Sequence, residues 1–193
     1  HADVVAGQGT VGLEILEQAP DTQTVLIPAG GGGLLAGVAI ALKAVRPDIT
    51  VIGVQAKGAA AYPASLQQGA PVALASMKTM ADGIAVGLPG EITFAAVRDH
   101  VDDIITVSEE AMSRALLALV ERAKMIVEPA GAAAVAAMLE QPSAFATPAV
   151  AVLSGGNIDP ILLGKVIQHG MAAAGRYLNL HVTIPDSPGG LAR

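Results

Sequence analysis

Short apolar runs alternate with longer helical runs along this chain. The short runs are rich in Val, Ile, Leu and Thr and have few polar positions, as is typical of strands buried on both faces of a parallel sheet. Runs of this kind predict strands over residues 24–29, 50–55, 103–107 and 149–153. We therefore expect a sheet that other elements cover on both sides.

The longer runs are rich in Ala and Leu and predict helices. They cover residues 11–18, 34–45, 60–68, 109–124, 130–140 and 160–174. Ser108 precedes two acidic residues and Asp159 precedes a proline, and both are typical helix N-caps. The alternation of strands and helices predicts an α/β fold: a mainly parallel sheet with helices on both faces.

Two segments depart from this alternation. Residues 70–100 contain Gly83, Gly87 and Pro89-Gly90, so we expect an irregular loop region near an active site, followed by a short helix. Residues 177–184 alternate like a strand, but no strand partner follows before the chain stops. We interpret residues 176–193 as the start of a further domain and residues 1–175 as the main one.

Composition and charge narrow the classes of function. The chain is 52% hydrophobic with 2% aromatic residues, a net charge of −6 and no cysteine. Nucleic-acid binding would require clustered Lys and Arg, which are absent, so we expect no such partner. Pro28 and the glycines that follow it would break the single membrane-like window, residues 22–42, so we expect no membrane span. The absence of cysteine fits a cytoplasmic protein.

Four consecutive glycines, Gly30 to Gly33, lie between a predicted strand and a predicted helix. The amides at a helix N-terminus lack intrahelical partners and carry partial positive charge, so this arrangement can bind an anion such as phosphate. The alternative is a tight turn with close helix–strand packing, for which one or two glycines would suffice. Four glycines favour the anion site.

Nucleotide sites fit the glycines less well. Gly31, Gly33 and Ala36 match a dinucleotide fingerprint, but the next strand ends in Gln55 where an acidic ribose ligand would be expected. Leu34 and Leu35 occupy the place of a Walker lysine. A second loop, Ser154-Gly155-Gly156-Asn157, follows another predicted strand, so Ser154 could contact another part of the same ligand.

Taken together, these segments resemble the threonine (serine) dehydratases, which are fold-type-II enzymes dependent on pyridoxal 5'-phosphate. The matching segments, in family order, are AGQGT (6–10), GGGGL (30–34), VIGVQ (51–55), ADGIAV (81–86), VDDIITVSEE (101–110), VEPAGA (127–132) and LSGGNID (153–159). The tail resembles the first strand of an ACT-type regulatory domain. The resemblance implies an amino-acid substrate, a homo-oligomer and, as the expected pathway, isoleucine biosynthesis.

The resemblance also implies roles for individual residues. Gly30, Gly31, Gly32, Gly33 and Leu34 would donate backbone amides to the cofactor phosphate, and Ser154 would bond to the pyridine nitrogen. Gly83 and Glu128 would line the cofactor and substrate. Glu128 could instead be an acid that stabilises a helix N-terminus. Asp82 precedes a glycine, a pair that is typical of turns. Asn157 could cap the following helix, support the Ser154 loop or contact an effector.

The chain departs from the family pattern at the Schiff-base lysine. Its lysines, at positions 43, 57, 78, 124 and 165, all lie outside a Ser-x-Lys-x-Arg-Gly-Ala-like segment. In the family that segment precedes the part matched here, together with the small domain. We therefore expect no catalytic residue in this chain, a lysine further upstream, and no activity from these 193 residues alone. Near Gln55, alanines stand where some relatives bind a divalent metal through acids, so we expect no carboxylate metal site.

Three alternatives remain open. A serine racemase-like enzyme of the same fold would share every residue named above. A non-catalytic, phosphate-binding fragment would explain the missing lysine. A dinucleotide-binding protein is the most distant of the three. Dehydration of L-threonine or L-serine to 2-oxobutanoate or pyruvate and ammonia, by the full-length protein, is the function that the resemblance favours.

Overall fold

The structure, a computed structural model, describes residues 1–183. Its strands are β1 (Thr24–Pro28), β2 (Thr50–Ala56), β3 (Asp103–Val107) and β4 (Ala149–Ala151). Its α-helices are α1 (Ala2–Gln18), α2 (Gly33–Val45), α3 (Tyr62–Gln68), α4 (Glu91–His100), α5 (Glu109–Ala118), α6 (Ala133–Glu140) and α7 (Pro160–Ala173).

The strands form one parallel sheet in the order β3-β2-β1-β4. Thr24 of β1 pairs with Thr50 on one side and with Ala149 on the other. The chain therefore moves outward from β1 to β2 and β3, then returns to add β4 on the opposite edge. The carboxyl ends of β1 and β4 form the point at which strand order reverses, where open α/β sheets bind ligands.

Helices cover both faces of the sheet, as predicted. Alternate β1 side chains point to opposite faces: Val25 and Ile27 pack with α1, α2 and α4, and Leu26 packs with α5, α6 and α7. All five β1 residues are buried, which explains the apolar run in the sequence. The predicted caps are also confirmed, because Ser108 accepts a hydrogen bond from Ala111 N and Asp159 accepts one from Ile161 N.

The first helix begins nine residues earlier than predicted, at Ala2 rather than Val11. Its glycines lowered the apparent helix propensity of residues 6–12. Gly9 and Gly12 are buried against α2, where a Cβ at Gly12 would lie 2.9 Å from the carbonyl oxygen of Val38. These glycines are therefore helix-contact residues, and their small size lets the backbones of α1 and α2 approach closely.

Other boundaries differ by a few residues. The helix predicted over 109–124 changes at Leu119 into a π-helical turn that ends at Ala123, and α6 starts three residues later than expected. The strand prediction over 177–184 is wrong for residues 177–183, which form no ladder with the described strands. Leu178, Leu180 and Val182 are 72–75% exposed there. Ile184 lies outside the described residues.

Within residues 1–183, no helix has the length and apolar character needed to cross a bilayer. The apolar window at residues 22–42 instead contains β1, the glycines and most of α2.

Candidate active site

A cavity of about 240 Å³ lies at the carboxyl ends of β1 and β4. Every site residue predicted from the sequence lines this cavity: Gly30, Gly31, Gly32, Gly33, Leu34, Gly83, Glu128 and Ser154. The remaining lining residues are Gln8, Pro28, Ile84 and Ala130. The fold therefore brings together predicted site residues that are up to 124 positions apart in the chain, counted from Gly30 to Ser154.

Residues 30–34, here called the glycine loop, follow β1 and include the first two residues of α2. Within residues 1–183, none of their five backbone N–H groups donates to a protein acceptor, whereas Ala29 N bonds to Val54 O and Ala36 N to Gly32 O. Unpartnered amides at the positive end of a 13-residue helix form an anion site. The loop has the composition and position that a phosphate group requires.

Three of the four glycines lack a side chain for different structural reasons. Gly32 has a φ of +89°, and a Cβ there would overlap the Tyr62 hydroxyl. A Cβ at Gly30 would lie 2.9 Å from Ile84 Cα. At Gly33, by contrast, a Cβ would meet no heavy atom within 4 Å, although Gly33 lines the cavity. Packing thus explains Gly30 and Gly32, and open space for a ligand remains the explanation for Gly33.

Glu128 lines the same cavity as the glycine loop. Its backbone N–H donates to Gly155 O at 3.1 Å, and a Cβ at Gly83 would lie 3.2 Å from its Oε1. A Cβ at Gly155 would overlap the same carboxylate. Because α6 begins only at Ala133, the carboxylate does not cap that helix. Glycines at 83 and 155 therefore make room for this half-buried acid.

Ser154 follows β4 and presents an exposed side chain at the cavity. Its hydroxyl makes no hydrogen bond to another group in the described part of the chain.

Asp82 lies in a single 3₁₀ turn, as its turn-like sequence predicted. Asn157 does not cap α7, because Asp159 performs that role with bonds to Ile161 N and Leu162 N.

Gln55, Tyr62 and Thr93 support the site. The sequence analysis noted Gln55 only as the end of a strand, and it missed the supporting role of all three residues. Gln55 is fully buried; its Nε2 donates to Ala29 O at 3.2 Å and its Oε1 accepts from Tyr62 N at 3.0 Å. The hydroxyls of Tyr62 and Thr93 both reach Gly31 O. Gln55 thus ties the end of β1 to the start of α3, and a ribose contact is not its role. Single polar residues of this kind form no sequence motif, so their contacts cannot be predicted from the neighbouring residues.

All five lysines lie within residues 1–183, and none of them is among the described residues that line the cavity. Among residues 1–183, no group of three or more His, Cys, Asp or Glu side chains is arranged to hold a metal ion.

Comparison with known proteins identifies the family. Residues 1–155 match the model for pyridoxal-phosphate dependent enzymes. The chain is 47% identical to an L-threonine ammonia-lyase of Geobacter sulfurreducens, over 98% of this chain and 48% of that protein. The chain therefore spans about half the length of the curated relatives it matches.

Solved structures agree with this match. The processed form of threonine deaminase isoform 2 from Solanum lycopersicum aligns with a TM-score of 0.81 and 40% identity, over 86% of this chain and 49% of that one. Maize serine racemase aligns with a TM-score of 0.77 and 36% identity, over 89% of this chain and 54% of that one. The parallel sheet, the glycine loop at its switch point and these matches agree, and the chain belongs to the pyridoxal-phosphate dependent enzymes.

Proposed function

We propose that the full-length protein containing this chain converts L-threonine, or L-serine, to 2-oxobutanoate, or pyruvate, and ammonia. The observation that carries the proposal is the composition of the cavity lining, which combines the glycine loop, whose five amides have no acceptor within residues 1–183, with the Ser154 hydroxyl and the Glu128 carboxylate. The 47% identity to an L-threonine ammonia-lyase supports this reaction over racemisation, because the aligned serine racemase is 36% identical.

The residues present fit pyridoxal phosphate. The amides of the glycine loop would hold its phosphate, and the open space beside Gly33 leaves room for that group. Ser154 would bond to the pyridine nitrogen, and Gly83 and Glu128 would border the substrate. When bound, the cofactor supplies an aromatic ring that withdraws electrons from the reacting carbon.

The residues of this chain would then bind the cofactor and orient its ring. A neutral hydroxyl at Ser154 would offer no negative charge to stabilise a protonated ring nitrogen, so the electron withdrawal would be moderate, which suits elimination. The α2 dipole adds positive potential at the phosphate end. We place the lysine that exchanges the substrate proton in a part of the protein outside this chain, since none of the five lysines lines the cavity.

Ketoacid release from L-threonine by the full-length protein tests the proposal. We expect release of 2-oxobutanoate and ammonia in equal amounts, and none from the 193-residue chain alone. Formation of D-serine from L-serine as the main product would favour the racemase instead. Cofactor binding without any turnover of L-threonine or L-serine would contradict the proposed reaction.

The finer expectations belong to the same proposal: a cytoplasmic homo-oligomer that acts in isoleucine biosynthesis, with residues 176–193 beginning a regulatory domain. The family resemblance supports them. Light scattering on the full-length protein would test the oligomer, and a monomer at micromolar concentration would contradict it. Restored growth of an isoleucine-requiring strain that lacks threonine ammonia-lyase would test the pathway.

A further inference from the structure

We infer that the hydroxyls of Tyr62 and Thr93 are positioning groups that fix the orientation of the peptide between Gly31 and Gly32, so that its N–H faces the phosphate site. The inference deepens the proposed function and rests on it for the identity of the anion. Neither residue lines the cavity, and both act on it through their contact with the glycine loop.

Both hydroxyls converge on one carbonyl oxygen. Thr93 Oγ1 on α4 lies 2.6 Å from Gly31 O, and Tyr62 Oη on α3 lies 3.2 Å from it. A carbonyl oxygen has two lone pairs and can accept both bonds. Thr93 Oγ1 also lies 3.0 Å from Gly90 O, but its single hydrogen favours the nearer acceptor.

The geometry of a peptide unit turns this contact into an orientation. The peptide bond between Gly31 and Gly32 is trans, because Thr147-Pro148 is the one cis peptide bond among residues 1–183. In a planar trans peptide, C=O and N–H point in opposite directions. Because α3 and α4 hold the oxygen on the protein side, the N–H of Gly32 points away from them, toward the cavity that Gly32 lines.

This peptide needs such restraint because glycine flanks it on both sides. Glycine occupies positive and negative φ with similar ease, so a rotation of this peptide meets little steric resistance. The reversed orientation would direct a carbonyl oxygen, with its partial negative charge, at the bound anion. The two hydroxyls therefore favour the orientation that attracts phosphate.

The donors are themselves held firmly. Tyr62 is fully buried, and its backbone N–H donates to Gln55, which also bonds to Ala29 next to the loop. Burial raises the pKa of the Tyr62 phenol, so the hydroxyl remains a neutral donor at physiological pH. The ring packs directly against the position where Gly32 lacks a side chain.

Cofactor affinity in the full-length apoenzyme tests the inference, with pyridoxal phosphate compared against pyridoxal, which lacks the phosphate. Thr93→Val removes the hydroxyl and keeps the side-chain shape, Thr93→Ser is the matched control, and Tyr62→Phe removes the second donor. We expect Thr93→Val and Tyr62→Phe each to weaken pyridoxal phosphate binding by about three- to tenfold, the loss of one hydrogen bond. Pyridoxal affinity should stay within about twofold.

The phosphorus NMR resonance of the bound cofactor gives a readout besides activity. We expect it to shift in Thr93→Val and to return to the wild-type position in Thr93→Ser. Unchanged pyridoxal phosphate affinity in both hydroxyl-deleted variants, or an equal loss of affinity for pyridoxal, would overturn the inference. If the wild-type protein binds pyridoxal phosphate but releases no ketoacid, the proposed reaction is wrong. The inference about Tyr62 and Thr93 is then still tested by the pyridoxal phosphate affinities of the variants. Should Tyr62→Phe not fold, the Thr93 pair decides the question.

Discussion

Adjacent glycines in the loop perform different tasks at the scale of single residues. Gly32 adopts a left-handed conformation and lies against the Tyr62 ring, so its missing side chain is a requirement of the fold. Gly33 has ordinary helical geometry at the start of α2 and open space in front of it. Only at Gly33, therefore, is the missing side chain left to be explained by a ligand.

Alanine at each position separates these tasks. We expect Gly32→Ala to lower the free energy of unfolding by about 2–4 kcal/mol, from left-handed strain and overlap with Tyr62. Gly33→Ala should leave it within about 1 kcal/mol of wild type and weaken pyridoxal phosphate binding. Urea unfolding and cofactor titration of the full-length protein measure both quantities. A Gly33→Ala variant that binds the cofactor normally would contradict the role given to that residue.

The buried phenol of Tyr62 predicts a pH effect. Burial raises its pKa above the ordinary value of about 10. A group whose pKa is raised in the folded state gives stability that is fully present below the unfolded pKa and is lost as pH rises through the folded one. We therefore expect the free energy of unfolding to fall above about pH 10, and to fall less steeply in Tyr62→Phe. Equal slopes in urea titrations between about pH 9 and 11 would argue against this.

At the scale of elements, the contact between α1 and α2 depends on small residues. A Cβ at Gly12 would lie 2.9 Å from Val38 O, whereas one at Gly7 would meet nothing within 4 Å. We expect Gly12→Ala to lower the free energy of unfolding by about 1–3 kcal/mol. Gly7→Ala should raise it by about 0.5–1 kcal/mol through helix propensity. Chemical denaturation of the two variants provides the comparison, and a stabilising Gly12→Ala would show that the helices do not meet there.

Elements with strong periodicity or apolar runs could be predicted from the sequence, because burial imposes both patterns. The four strands and α2, α5 and α7 appear at nearly the predicted positions. The N-terminal half of α1 could not be predicted, since its glycines serve a helix partner that local propensity does not include. The tail at 177–183 has the alternation of a strand but forms no ladder with the strands described.

At the scale of the whole molecule, the site follows from strand order. The sequence places Gly30 and Ser154 after two strands, but it does not state that β1 and β4 are neighbours. That adjacency puts both loops at one cavity. The supporting roles of Gln55, Tyr62 and Thr93 could not be predicted from the sequence, because they arise from contacts that join β2, α3 and α4 to the loop and to Ala29 beside it.

The chain also represents only part of the length of its relatives, so under the proposed function its site is complete only in the longer protein. In that proposal the described residues provide for the cofactor phosphate, the ring nitrogen and the substrate wall. The lysine to which the proposal assigns proton exchange is not among the described residues that line the cavity. Under the proposed function, this division explains why the isolated chain should be inactive while retaining the glycine loop.

A crystal structure of the full-length protein with pyridoxal phosphate would test the central claim most directly. We predict phosphate oxygens within about 2.7–3.2 Å of backbone nitrogens of the glycine loop, with the Ser154 hydroxyl at hydrogen-bond distance from the ring nitrogen. Gly31 O should remain bonded to Tyr62 and Thr93, on the side away from the phosphate. A phosphate bound elsewhere, or a ring nitrogen with no contact to Ser154, would contradict the assignment of this cavity.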